Sequence, residues 1–100
     1  MNLLDWLSNW YQQWCNGEWE HDYGIVITTL DNPGWNVTIE LIDTGLTLPD
    51  EEWKLFELSE NDWYGYKVEN NTFIASGDPL KLEFIIQLFK DKIDLLEHSN

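Results

Sequence analysis

Seven tryptophans share a chain of 100 residues with nineteen carboxylates, and only five lysines and no arginine answer those acids. A formal charge of -14 is the mark of solvated, disordered segments, yet a 43% hydrophobic content with 15% aromatics is the mark of a chain with a core. Both hold together only if the chain folds against its own repulsion, with aromatic packing offsetting a charge far from zero. One domain is expected at this length, burying roughly 60–70% of the extended chain's surface. Such a surface suits a basic partner. It disfavours nucleic acid, whose phosphates are held by lysine and arginine.

Cys15 is the single cysteine, which excludes an internal disulfide and fits a reducing compartment. The opening Met1-Asn2-Leu3-Leu4-Asp5 lacks the basic region and cleavage site of a secretion signal, and no apolar run is long enough to span a bilayer. A cytoplasmic location is expected.

Leu3, Leu7, Trp10 and Trp14 recur at helical spacing, with Leu4, Trp6 and Tyr11 widening the stripe and Asn16-Gly17 as the stop. The β-branched run after Tyr23 predicts a strand to Leu30. Asp31-Asn32-Pro33-Gly34 predicts a turn in which proline fixes φ and glycine is free to take a positive φ. Trp35, Val37, Ile39 and Leu41 alternate with polar residues and complete a hairpin. A loop over 43–52 follows, then strands at 53–58, 63–68 and 72–76, with turns at 59–62 and Asn70-Asn71. Asp78 reads as an N-cap and Pro79 as the first residue of a last helix lined by Leu82, Ile85, Ile86, Phe89, Ile93 and Leu96, with Lys90 and Lys92 complementing its dipole.

The expectation is a single α+β domain over 1–100: a five-stranded antiparallel meander sheet with an N-terminal and a C-terminal helix packed on one face. Tyr64 and Tyr66 fall on one side of their strand and Trp63 on the other. The second face is therefore either buried near its middle or left as an aromatic surface for a partner.

Chemistry-bearing residues concentrate at 15–22, where Cys15, Glu18, Glu20, His21 and Asp22 bring a thiol, three carboxylates and an imidazole together. Glu18, Glu20 and His21 are candidate metal donors, but a transition-metal site takes three or four convergent ligands and no Cys-x-x-Cys or His-x-x-x-His spacing supports one. The other histidine is His98. A Cys15–His21 dyad would face carboxylates and a helix C-terminal end, both of which raise a thiol pKa. Ser8, Ser59, Ser76 and Ser99 have no nucleophile elbow around them. No catalytic residue, metal or cofactor is expected, and a small metal-dependent or thiol enzyme centred on this segment is the alternative.

Carboxylates gather in the middle of the chain: Asp43, Asp50, Glu51, Glu52, Glu57, Glu60 and Asp62, with Asp22 and Asp31 near the first hairpin. An acidic surface can occupy a basic cleft and gain its association rate by steering. Trp63, and less so Trp35, follow turns beside acidic or amide residues, where an aromatic can anchor an interface. The partner-binding candidates are thus Asp43, Asp50, Glu51, Glu52, Glu57, Glu60, Asp62 and Trp63.

The succession Trp10-Tyr11, Cys15-Asn16-Gly17-Glu18-Trp19-Glu20-His21, Tyr23-Gly24-Ile25, Thr29-Leu30-Asp31-Asn32-Pro33-Gly34-Trp35 and Asn61-Asp62-Trp63 resembles the immunity protein 53 family of bacterial polymorphic-toxin systems. The resemblance is densest from Trp6 to Trp35 and thins after Phe73. It implies a cytoplasmic, non-enzymatic protein that binds a cognate toxin domain, with no transferable list of contacts. An acidic adaptor with a different partner is the rival reading, and monomer and homodimer both remain open.

Overall fold

The computed structural model describes residues 2–97, so His98 and Ser99 lie outside the described residues. Its elements are α1 (Leu3–Trp14), α2 (Trp19–Asp22), β1 (Ile25–Leu30), β2 (Gly34–Glu40), β3 (Glu51–Ser59), β4 (Asp62–Glu69), β5 (Thr72–Gly77) and α3 (Leu82–Glu97). The α+β class, the five antiparallel strands and the two terminal helices are as expected. The short α2 was not anticipated.

The strand order is β1-β2-β5-β4-β3, which corrects the simple meander. Hairpins join β1 to β2, β3 to β4 and β4 to β5, but β2 pairs with β5 and residues 41–50 carry the chain to the far edge. That crossover is held from the β4–β5 turn. Asn70 and Asn71 both adopt the left-handed region (φ 52° and 57°), the geometry of a two-residue hairpin turn. The Asn71 amide then donates to the carbonyls of Leu41 and Leu46 and accepts from the Leu48 N–H. Leu41 and Leu48 are buried by the same connection. One turn residue thus satisfies backbone groups that a buried loop would otherwise leave unpaired.

α1 is capped by Asn2, whose side chain accepts the Asp5 N–H at 2.8 Å. α3 starts at Leu82, later than Asp78 and Pro79 led us to expect. The Asp78 carboxylate is drawn to β4 by the Trp63 N–H and closes a separate leading turn instead. Lys90 and Lys92 act through specific partners, since no basic residue stands in the last turn of α3. Gly34 also departs from expectation. It sits in β2, and a Cβ there would collide with the Gly77 carbonyl, so the glycine is needed for close approach and not for positive φ.

Both long helices cover one face. Leu7 and Trp10 of α1 and Ile85, Ile86, Phe89 and Ile93 of α3 pack on Val37, Ile39, Phe73 and Ala75, with Trp10 edge-on to Phe89 at 5.0 Å. Strand register places Tyr64 and Tyr66 on this covered side, opposite Gly77 and Ala75. Trp63, Gly65, Lys67, Ile74 and Ser76 therefore belong to the other face, which no helix covers among the described residues. Among the described residues no helix is long and apolar enough to cross a membrane.

Candidate functional site

The 15–22 segment closes on itself. Glu20 accepts from the Asn16 and Gly17 N–H groups at 2.9 and 2.8 Å, while Asn16 Oδ1 accepts from the Glu18 and Trp19 N–H groups. Backbone donors, its own amide first, hold the Glu20 carboxyl below the ordinary glutamate range. Cys15 Sγ donates to the Tyr11 carbonyl, and the Trp19 indole N–H reaches the Ile42 carbonyl at 2.8 Å. The segment is thus a capped loop that seats Trp19 in the protein, and among the described residues no three His, Cys, Asp or Glu side chains converge on a metal position.

Every lysine is engaged within the molecule. Lys54 and Lys92 both reach Glu51, Lys67 reaches Glu69, Lys90 reaches Asp94, and Lys81 bridges Asp62 and the buried Asp78. Nineteen carboxylates less the five in these pairs leave fourteen paired with no lysine, and among the described residues no lysine is left free. Two of the sequence candidates, Glu51 and Asp62, are spent on internal pairs. The ammonium of Lys92 lowers the Glu51 pKa, and Lys54 adds to it.

The remaining candidates do not form one patch. Asp43 sits in the crossover, beside the Ile42 carbonyl that Trp19 uses. Asp50 and Glu52 lie at the start of β3, whereas Glu57 and Glu60 lie at its end, about 20–25 Å along an extended strand. What connects them is apolar. The Trp53 ring packs against Gly65, whose missing side chain leaves the space the ring occupies. Leu55 pairs with the same Gly65. Trp53 is 46% and Leu55 53% exposed, both on the uncovered face. Neither was identified from sequence as a contact residue. The available signal was a glycine in mid-strand between two tyrosines, which marks close approach by another group.

Two concavities flank this strip. One of about 330 Å³ is lined by Asp50, Glu51, Glu52, Trp53, Lys67 and Glu69 among others. The other, about 490 Å³, is lined by Asn32, Leu55, Glu57, Glu60, Asn61 and Trp63. Trp63 is half-buried there because its ring runs across the sheet end to within 3.4 Å of the Cβ position of Gly34. Asp78 fixes its backbone by accepting the Trp63 N–H at 2.9 Å and donating its own N–H to the Trp63 carbonyl at 3.1 Å. Lys81, held by Asp62 and Asp78, keeps a raised pKa, and the bonds from Lys81, Leu80 and Trp63 keep Asp78 ionised against the cost of burial. Trp35 is a structural counterpart on the covered face, with its indole N–H donating to the Pro79 carbonyl.

The arrangement is an acid–aromatic–acid surface along the β3–β4 hairpin. No curated protein and no solved structure matches the chain. The profile of immunity protein 53 matches residues 4–94, which takes in most of α1 and α3, all of α2, all five strands and this surface. The chain belongs to the immunity protein 53 family.

Proposed function

We propose that this protein neutralises a cognate bacterial toxin domain in the cytoplasm by occlusion, using the uncovered face of the β3–β4 hairpin. Trp53, Leu55 and Trp63 are the anchors, and Asp50, Glu52, Glu57 and Glu60 are the carboxylates that meet lysine and arginine in the toxin's cleft. The observation that carries this reading is the exposed Trp53–Leu55 strip set between two acid-lined concavities on a helix-free face. Exposed aromatics ringed by charge are the composition of interface hot spots, and unpaired carboxylates supply steering. Glu51, Asp62 and Asp43 are left outside the contact, the first two because lysines already hold them.

The test is calorimetric titration against the toxin domain encoded beside this gene, together with rescue of growth when the two are co-expressed. One-to-one binding is expected. Trp53→Ala is expected to cost about 2 kcal/mol or more of affinity. The pair Glu57→Gln and Glu60→Gln is expected to slow association, while Asp43→Asn leaves it unchanged. Full affinity in Trp53→Ala would move the interface off this face.

A further inference from the structure

β1 is one edge of the sheet, and its outer side is unpaired. No residue of Ile25–Leu30 is charged, none is proline, and its register with β2 runs from Ile25↔Ile39 to Leu30↔Gly34 without a shift. Val26 is 52% and Ile27 39% exposed, with Thr28 and Thr29 exposed beside them. Proteins ordinarily block such an edge with charge, proline or a bulge, and none of these is used here.

The backbone geometry fixes which groups are free. The Glu40 N–H donates to the Gly24 carbonyl at 3.1 Å, which marks Gly24 and Glu40 as a hydrogen-bonded pair. Alternation along an antiparallel ladder then turns Val26, Thr28 and Leu30 toward β2, and points the N–H and C=O groups of Ile25, Ile27 and Thr29 outward.

We infer that β1 pairs antiparallel with β1 of a second copy about a two-fold axis at Ile27, joining two sheets into one of ten strands. In that register Ile27 faces Ile27 of the partner subunit, Ile25 faces the partner's Thr29, and Val26 faces the partner's Thr28. The acids nearest in sequence, Asp22 and Asp31, fall opposite the partner's Asn32 and Tyr23, and the Glu40 carboxylate beside Gly24 is tied to that residue's N–H at 3.2 Å. Charge selects this occupant. A basic partner finds nothing to pair with on β1, whereas a second copy at -14 can approach only where acids are absent. The pairing uses the edge opposite β3 and does not depend on the toxin contact.

Sedimentation equilibrium of the whole chain over a concentration series tests this, at low and at moderate salt. A reversible species of twice the 11.9 kDa chain mass is expected, strengthened by salt because screening weakens the repulsion of the two copies. Thr29→Pro removes one outward donor and leaves the β2 ladder intact, and Ile27→Lys places like charges at the axis. Both are expected to be monomeric, with unchanged circular dichroism. In a Cys15→Ser background, Ile27→Cys is expected to cross-link through a disulfide at the axis, since residues exchanging both bonds stand about 5.5 Å apart at Cα. A wild-type chain that stays monomeric at every concentration overturns the proposal. So does a dimer that persists in both variants, or a mass that rises beyond two, because a two-fold pairing consumes the only edge it uses.

Discussion

The two outer strands of this sheet are built to opposite rules. β3 carries Glu51, Glu52, Lys54 and Glu57, and its pairing with β4 shifts register twice. β1 carries no charge and shifts nowhere. Both expose large apolar side chains, so hydrophobicity does not separate them. Charge and regularity do. An irregular, acidic edge resists self-pairing and invites a cationic partner, while a flat neutral edge invites a strand of its own kind.

The largest effect that would break this comparison comes from the clamp behind Trp63. Asp78 is 1% exposed and accepts from the Trp63 and Leu80 N–H groups and from Lys81. Asp78→Ala orphans two backbone donors, and the expected loss is about 2–3 kcal/mol of stability in urea unfolding. Lys81 keeps Asp62, which holds the cost below that of a stranded buried cation. Hydrogen exchange should show lost protection in β4 while β1 and β2 keep theirs. Equal loss in both would mean that the two edges are one unit.

Salt should separate the edges next. Association with the toxin domain is expected to slow by about tenfold between low and moderate ionic strength, roughly 1.4 kcal/mol. Pairing through β1 should move the other way. A toxin association rate indifferent to salt would remove the electrostatic role assigned to Asp50, Glu52, Glu57 and Glu60.

Much of the frame was legible because its signals are local. The stripe from Leu3 to Trp14, the alternation from Trp35 to Leu41 and the Asn70-Asn71 turn each depend on neighbours within a few residues. Strand order was not legible. The crossover depends on the Asn71 side chain bonding the Leu41, Leu46 and Leu48 backbones, and no periodicity encodes a hydrogen bond across such sequence separations. The candidate site was half legible for a similar reason. Counting acids found Glu57 and Glu60, but only the fold shows that Lys92 takes Glu51 and Lys81 takes Asp62. The exposed placement of Trp53 depends on Gly65, twelve residues away and beneath its ring, which no pattern local to Trp53 signals.

Gly65→Ala sharpens the comparison at smaller cost. The new methyl meets the Trp53 ring and, at 2.9 Å, the Lys54 carbonyl. The ring can swing outward because it is half exposed, but the carbonyl must shift with its strand. A stability loss of about 1 kcal/mol is expected, toward the low end for an inserted methylene. Toxin affinity should fall further than stability, because the anchor is displaced while the fold persists. Equal affinity would take Trp53 out of the contact and move the interface off this face.

The smallest effect concerns how β3 is fastened to α3. Glu51 joins Lys92 of α3 to the N-terminal end of the edge strand, and Lys92 also lies 4.8 Å from the Tyr66 ring centroid. The Lys92 bond lowers the Glu51 pKa, so the pair contributes stability above the ordinary glutamate pKa near 4.3 and loses it as pH falls through the lower folded value. Glu51→Gln should therefore cost about 0.5–1 kcal/mol at pH 7, and wild type and variant should converge on acidification below about pH 4. Chemical denaturation at stepped pH reads this directly. Equal stability of wild type and variant already at pH 7 would mean that the Lys92–Glu51 pair contributes nothing and that the acidic edge is held by packing alone. The edge would then be free to shift when a cationic partner competes for Glu51. A penalty that persists at pH 7 instead makes β3 a fixed platform, with Trp53 and Leu55 presented to the partner in place.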